Sequence, residues 1–216
     1  MVVRDISQRK KTELEIQSYL LRLENVMQDT LQVLAKAVDM KDPYTAGHQN
    51  RVGLLAKEIA LTMGMSANEA ENLRLIGLIH DIGKIGIPAE LLTKPTRITA
   101  LEYELIKTHV QIGYDILKNV NFMIPVADAV LQHHERLDGS GYPNHLKGSQ
   151  ILLEARIIAV ADVVEAMSSH RPYREALGLE AALADIESGK GTKYDPVVAD
   201  ACLKLFRENG YRIPNV

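Results

Sequence analysis

Histidine and aspartate recur in this chain where helix packing calls for apolar side chains, and their spacing is the first sign of chemistry. His48 heads the row His48, Val52, Leu55, Ile59, and His80 closes the row Leu73, Ile76, His80. His109 sits within Leu105, His109, Ile112, Ile116, and His133 closes Val126, Val130, His133. A fifth row, Ala155, Ile158, Asp162, Ala166, sets a carboxylate among Val160, Ala161, Val163 and Val164. An unpaired buried carboxylate is costly, so Asp162 requires a cation or a strong hydrogen-bond network. A lone histidine on an apolar face is ordinarily a hydrogen-bonded core residue. Five helices that each turn a His or Asp into their own stripe describe instead a metal centre built between facing helices.

Two pairs of neighbours sharpen this reading. Adjacent residues on a helix diverge by about 100°, so both serve one centre only near a helix end or between two ions. His80-Asp81 stands just before Gly83, and His133-His134 just before a glycine-rich loop. A carboxylate at such an end can bridge two ions while the imidazole beside it binds one. The rows and pairs supply seven nitrogen and oxygen donors, too many for one tetrahedral ion and suited to two ions of higher coordination. Two close divalent cations activate a bridging water and stabilise charge in phosphodiester cleavage. The set contains no thiolate, which disfavours structural zinc.

The elements that must position these groups are helices, and the expected fold is all-α. Residues 10–40 carry Ile16, Leu20, Leu23, Met27, Leu31, Leu34 and Val38 at steps of three or four, a long amphipathic helix. Asp42-Pro43 supplies a cap and a first-turn proline for a helix running to about Met63. Capping boxes at Ser66–Glu69 and Thr99–Glu102 open helices that run to about Asp81 and Lys118. Further helices fit 125–135, 152–169, 179–188 and 196–209, and the stretch 137–143 is loop. Sustained strand alternation appears nowhere.

The 216 residues, 46% apolar and 25% charged, suit one soluble domain with an appendage. No run of eighteen apolar residues could span a membrane, and no secretory signal opens the sequence. The single cysteine, Cys202, suits a reducing compartment, which points to the cytoplasm. A net charge of −3 argues against a nucleic-acid polymer as partner, while a small phosphodiester can still meet a local positive site.

These residues also resemble a family. His80-Asp81-Ile-Gly-Lys84 resembles the HD motif of metal-dependent phosphohydrolases. His133-His134-Glu135-Arg-Leu-Asp138-Gly-Ser-Gly141-Tyr142-Pro143 resembles the element that names the HD-GYP subgroup. The segments 41–48 and 191–196 and the Asp162 helix agree in order and spacing, so the likeness covers about residues 25–210. The resemblance implies an HD-domain bundle whose metal centre is built from His48, His80, Asp81, His109, His133, His134 and Asp162, bridged by Asp81. It further implies two divalent ions, iron or manganese, and hydrolysis of cyclic di-GMP to the linear dinucleotide, to GMP, or to both. Asp81 and Lys84 would be catalytic, with Lys84 meeting a substrate phosphate. Gly141, Tyr142, Arg171 and Arg174 would hold substrate, and the GYP loop would also contact a diguanylate cyclase partner.

One departure concerns the metals. Family members with a third ion carry a glutamate four residues before the first histidine; Tyr44 stands there, which favours two ions. His145 and His170 match no donor position. Residues 3–13 resemble the end of a PAS sensor domain, where the last strand runs into a helix. That divides the chain into 1–24, the PAS-like end and signalling linker, and 25–216, the HD-GYP domain, as the output piece of a longer sensor. The linker helix would then pair two copies as a parallel coiled coil. Two other functions compete: hydrolysis of a different cyclic dinucleotide such as cyclic GMP-AMP, and a non-catalytic module that binds ligand or cyclase. All the metal donors and Lys84 are present, which favours catalysis.

Overall fold

Apolar rows at helical spacing demand facing helices, and the described residues answer with helices alone. The structure is a computed structural model that describes residues 2–41, 47–169 and 178–214. Its elements are α1 (Val2–Lys41), α2 (His48–Thr62), α3 (Ala67–Ile79), α4 (Ala89–Leu92), α5 (Ala100–Lys107), α6 (His109–Leu117), α7 (Val126–Gln132), α8 (Leu153–Ser168), α9 (Leu179–Gly189) and α10 (Pro196–Arg207). A 3-10 turn, Ile82–Gly86, joins α3 to α4. Among the described residues there is no strand, only an isolated bridge between Lys190 and Tyr194.

The core gathers around α2, which packs on α3, α8 and α10. Val52, Leu55 and Ile59 from α2 are fully enclosed with Leu73 and Ile76 from α3, Ile157 and Ile158 from α8, and Leu183 and Ile186 from α9. Each such side chain contributes about 1.5–3 kcal/mol relative to leaving it in water. Ser66–Glu69 and Thr99–Glu102 both form reciprocal capping boxes. Asp195 accepts from the Val197 and Val198 amides and opens α10.

The structure departs from the sequence reading at several places. The helix expected from Thr99 to Lys118 is divided at Thr108, whose hydroxyl donates to the Leu105 carbonyl at 2.7 Å and competes with the helix ladder. That break turns the row: Leu105 and Ile116 are exposed, while His109, Val110, Gly113 and Leu117 form the buried face of α6. Helix α2 begins at His48, after Gly47 in the left-handed region (φ 72°); the expected Asp42-Pro43 cap, and Tyr44, lie outside the described residues. The strand expected at the end of a PAS-like domain is absent from 2–13: α1 is helical from Val2, as suits a segment with no neighbouring strand to pair with.

Glycine sets how closely the donor-bearing segments approach. The 3-10 turn lies against α6. A Cβ on Gly83 would stand 1.9 Å from the His109 carbonyl oxygen and 2.5 Å from the Gly113 amide nitrogen. Both are backbone atoms that cannot rotate aside. Gly83→Ala should therefore lift the turn off α6, costing about 1–3 kcal/mol or more by overpacking. Thermal unfolding and metal content should fall together in that variant; an unchanged melting temperature would show that the backbone accommodates the methyl group.

Candidate metal centre

Helix ends deliver the donors. His80 caps α3, and Asp81 (φ −97°, ψ 12°) opens the 3-10 turn. His48 and His109 are the first residues of α2 and α6, and His133 caps α7 with His134 after it. Only Asp162 comes from mid-helix, two turns into α8. Adjacent side chains diverge within a helix but can converge where it ends, which is how His80-Asp81 and His133-His134 can each contribute twice.

The seven predicted donors come together. His109, His133 and His134 form one group whose nitrogens lie within 4.8 Å of one another; His48, His80 and Asp162 form a second; His80, Asp81 and His133 form a third that overlaps both. Asp81 stands between: Oδ1 is 3.4 Å from His109 Nε2, whereas Oδ2 is 3.4 Å from His80 Nε2 and 3.9 Å from His48 Nε2. Asp162 Oδ1 is 3.2 Å from His48 Nε2 and 3.9 Å from His80 Nε2.

The imidazoles are pre-set by backbone. The Nδ1 atoms of His80, His109 and His133 reach the carbonyls of Gly77, Ile106 and Val130 at 2.7, 2.8 and 2.6 Å. That bond places the proton on Nδ1 and leaves a lone pair on Nε2. All three Nε2 atoms are buried and meet no hydrogen-bond partner in the protein. Buried polar atoms without partners are uncommon, and three converging on two carboxylates fit a divalent cation with nitrogen and oxygen ligands.

Supporting residues escaped the sequence reading. Glu165, one turn beyond Asp162, is 1% exposed and accepts from His48 Nδ1, from Arg51 Nε at 2.6 Å and from Ser169 Oγ at 2.6 Å. Gln49 Nε2 donates to Asp81 Oδ2 at 3.3 Å. Glu135 is buried and accepts from the Asn144 and Leu146 amides at 2.7 and 3.1 Å, pinning the loop after α7. Glu165 had a legible signal, a carboxylate on the buried face of a helix. Glu135 lies within the His133–Pro143 motif, where its type carried no role of its own, and Gln49 had no signal beyond its neighbour His48.

Lys84 lies beside the centre, with Nζ 2.7 Å from Asp81 Oδ2. Gly141 is buried where a Cβ would stand 2.4 Å from Glu135 Cα and 2.4 Å from the His134 oxygen, so the loop folds tightly on the histidine pair. The Tyr142 ring stacks on His134 at 4.7 Å between centroids. A cleft of about 510 Å³ adjoins, lined by Tyr103, His134, Gly141, Tyr142 and Asp162, and by Arg136, Lys193 and Tyr194. That volume is in the range of small-molecule sites. Arg136, Lys193, Tyr103 and Tyr194 were not anticipated. Arg171 and Arg174 lie outside the described residues, as does His170. His145 is exposed.

Protonation divides the histidines. Burial opposes charge on His48, but hydrogen bonds to Asp162 and Glu165 outweigh it and raise its pKa to about 9. Burial, with His80 and His109 alongside, lowers His133 to about 3. Burial likewise lowers His109 and His134. For Asp81 burial is opposed by the Lys84 ammonium, which holds the carboxyl well below its usual range.

Residues 32–198 match the family model described as HD domain, and the chain belongs to the HD domain family. It is 41% identical over 194 residues to a cyclic di-GMP phosphodiesterase of Thermotoga maritima, covering 89% of this chain and 53% of that protein. It is 40% identical over 201 residues to the cyclic di-GMP phosphodiesterase response regulator RpfG of Xanthomonas campestris, covering 90% of this chain and 53% of that one. Among solved structures, a cyclic GMP-AMP specific phosphodiesterase of Vibrio cholerae shares the fold, with a TM-score of 0.64 and 21% identity over 83% of this chain and 48% of the other. The chain spans about half the length of the curated relatives it matches.

The histidine asymmetry predicts how metal uptake couples to pH. A cation must displace the proton that His48 holds below about 9, whereas His109, His133 and His134 are already neutral at pH 7. Calorimetry at pH 7.5 in buffers of different ionisation enthalpy should show about one proton released per chain, and none from His48→Ala. Without metal, the buried neutral histidines resist protons that the unfolded chain accepts near 6.5. Stability should therefore fall as pH drops from 6.5 towards 3. Glu165→Gln should weaken metal binding about 10–100-fold, because it removes the carboxylate that orients His48.

Proposed function

We propose that this chain is the hydrolytic domain of a cyclic-dinucleotide phosphodiesterase, with cyclic di-GMP as substrate and two divalent ions, iron or manganese, at the centre. The observation that carries this reading is Asp81, whose two oxygens face different histidines in a donor cluster whose His134 and Asp162 line the cleft. His48, His80 and Asp162 would hold one ion and His109, His133 and His134 the other, with Asp81 shared. With Tyr44 in place of a carboxylate, the chain offers no acidic donor there for a third. When bound, such a pair supplies an activated water and charge neutralisation for phosphodiester cleavage.

The chain's own residues do the remaining work. Lys84 presents an ammonium 2.7 Å from the shared carboxylate, placed to meet the charge that develops on a phosphate or leaving oxygen. Tyr142, stacked on His134, offers an aromatic face to a base at the mouth of the cleft. Arg136 and Lys193 bring positive charge to the same cleft, where the second nucleotide of a cyclic substrate needs its own contacts. The Arg136 guanidinium is held over the Tyr194 ring at 5.6 Å and donates to the Glu135 carbonyl at 2.9 Å. Arg171 and Arg174 remain candidates for the same duty by resemblance alone.

The test is direct. Protein loaded anaerobically with iron or manganese is incubated with cyclic di-GMP, cyclic GMP-AMP and cyclic di-AMP, and the products are separated. Cyclic di-GMP should be consumed fastest; preference for cyclic GMP-AMP would change the substrate, and no turnover of any of the three would remove the reading. Lys84→Ala should keep its metals and lose about 10²–10³-fold in turnover. Asp81→Ala should lose metal and activity together. Equal turnover by the Lys84 variant, with metal content verified, would exclude its role.

A further inference from the structure

The cleft holds a carboxylate that the metal centre does not use. Asp185, one turn before the end of α9, lines it together with Arg136, Lys193 and Tyr194. It belongs to none of the three donor groups of the centre. Its Oδ2 accepts from the Tyr194 hydroxyl at 2.7 Å. Among the described residues no donor meets Oδ1 and no cation pairs with the group. A carboxylate repels the phosphates of any nucleotide, so the part of a ligand that it meets must bring hydrogen-bond donors.

The carboxylate is also held in place. The Tyr194 ring is buried against the end of α9, where a Cβ on Gly189 would stand 2.7 Å from two of its carbons. Its amide donates to the Gly189 carbonyl at 3.0 Å, and the Arg136 guanidinium lies over the ring at 5.6 Å. Burial and the bond to Asp185 push the hydroxyl above its ordinary pKa, which keeps its proton available to donate. One oxygen of Asp185 is thereby pinned, and the other is left to a ligand.

We propose that Asp185 reads guanine: its carboxylate accepts from the ring N1–H and the 2-amino group of a base in the cleft, and so sets a preference for guanine over adenine. This rests on the cyclic-dinucleotide reading above and names the residue that chooses the base. The two donors of guanine lie side by side on one edge and match the two oxygens of one carboxylate. Tyr194 occupies one lone pair of Oδ2, and that oxygen can still accept a second donor. Adenine carries a lone pair at N1, which would face the carboxylate with no proton between them. A site built to accept from donors rejects a ligand without them, because its own acceptor is left unpaired. A ribose hydroxyl also donates, but both nucleotides carry it, so it would set no preference.

Binding tests this apart from turnover. Bisphosphorothioate forms of cyclic di-GMP and cyclic di-AMP resist hydrolysis, and calorimetry gives their affinities for the metal-loaded protein. The unaltered chain should favour the guanine ligand about tenfold or more. Asp185→Asn keeps the size and an oxygen for Tyr194 but presents an amide, a group that pairs with adenine. The guanine preference should fall about tenfold or more in that variant, with the adenine ligand bound no more weakly than before. Tyr194→Phe keeps the carboxylate but frees it to turn, and should lower the preference about threefold. Circular dichroism checks the helices, and if Asp185→Asn loses them the Tyr194 variant decides, an unchanged preference overturning the proposal. No guanine preference in the unaltered chain, no binding of either ligand, or equal weakening of both by Asp185→Asn would also overturn it. Hydrolysis of cyclic di-GMP without such a preference would leave the phosphodiesterase reading standing. Guanine-selective binding without hydrolysis of any cyclic dinucleotide would remove that reading and keep this one.

Discussion

Asp81 is a buried carboxylate whose oxygens face different histidines, and much of the architecture keeps that one group in place. Burying a carboxylate is expensive, and removing a buried charge's partner typically costs about 3–5 kcal/mol. Here compensation from the protein comes from the Lys84 ammonium at 2.7 Å and the Gln49 amide at 3.3 Å, while the lone-pair nitrogens of His80 and His109 stand 3.4 Å away and face the carboxylate as a cation's ligands would. Those groups come from the end of α3, the 3-10 turn and the starts of α2 and α6. Four segments must therefore meet to within a few tenths of an ångström. Gly83 permits the closest of these meetings, since even a methyl group there would collide with the backbone that carries His109.

The last turn of α1 belongs to the same arrangement. Asp39 Oδ2 accepts from the Gly47 amide at 3.0 Å, immediately before His48. Lys41 Nζ donates to the Ile85 carbonyl, immediately after Lys84. One helix end thus ties down the start of α2 and the turn that follows Asp81, the two walls that face one another across the centre. A helix that projects outward from the body is therefore joined, through two hydrogen bonds, to segments next to His48 and Lys84.

The donors were legible because each violates an apolar row: a histidine or aspartate among valines and isoleucines requires an explanation that local sequence can pose. The supporting residues were less legible, since their partners come from elsewhere in the chain. Glu165 is explained by His48 and Arg51, over a hundred residues earlier, and Glu135 by amides of a loop that folds back on it. The row through Leu105 and Ile116 misled because a threonine hydroxyl at Thr108 breaks the helix, and periodicity carries no signal for that competition. In α1 the apolar count mixed two faces. Leu31 and Val38 pack on the body, while Leu20, Leu23, Met27 and Leu34 are exposed.

The same division between rigid and open regions shapes the cleft. On the centre side, His134 is fixed by its place after α7, and the Tyr142 ring and the Gly141 backbone close tightly upon it. Glu135 makes that closure durable: its carboxylate takes up two loop amides that would otherwise be unsatisfied, so the loop is held by a buried charge rather than by apolar packing. Arg136 follows in sequence and extends to the Tyr194 ring, whose hydroxyl donates to Asp185 at 2.7 Å. The run His133–Arg136 therefore reaches from the two-carboxylate centre to the far wall within four residues. The candidate donors His133 and His134 and the Arg136 guanidinium are thus carried by one short segment, with the Tyr142 ring folded back onto His134.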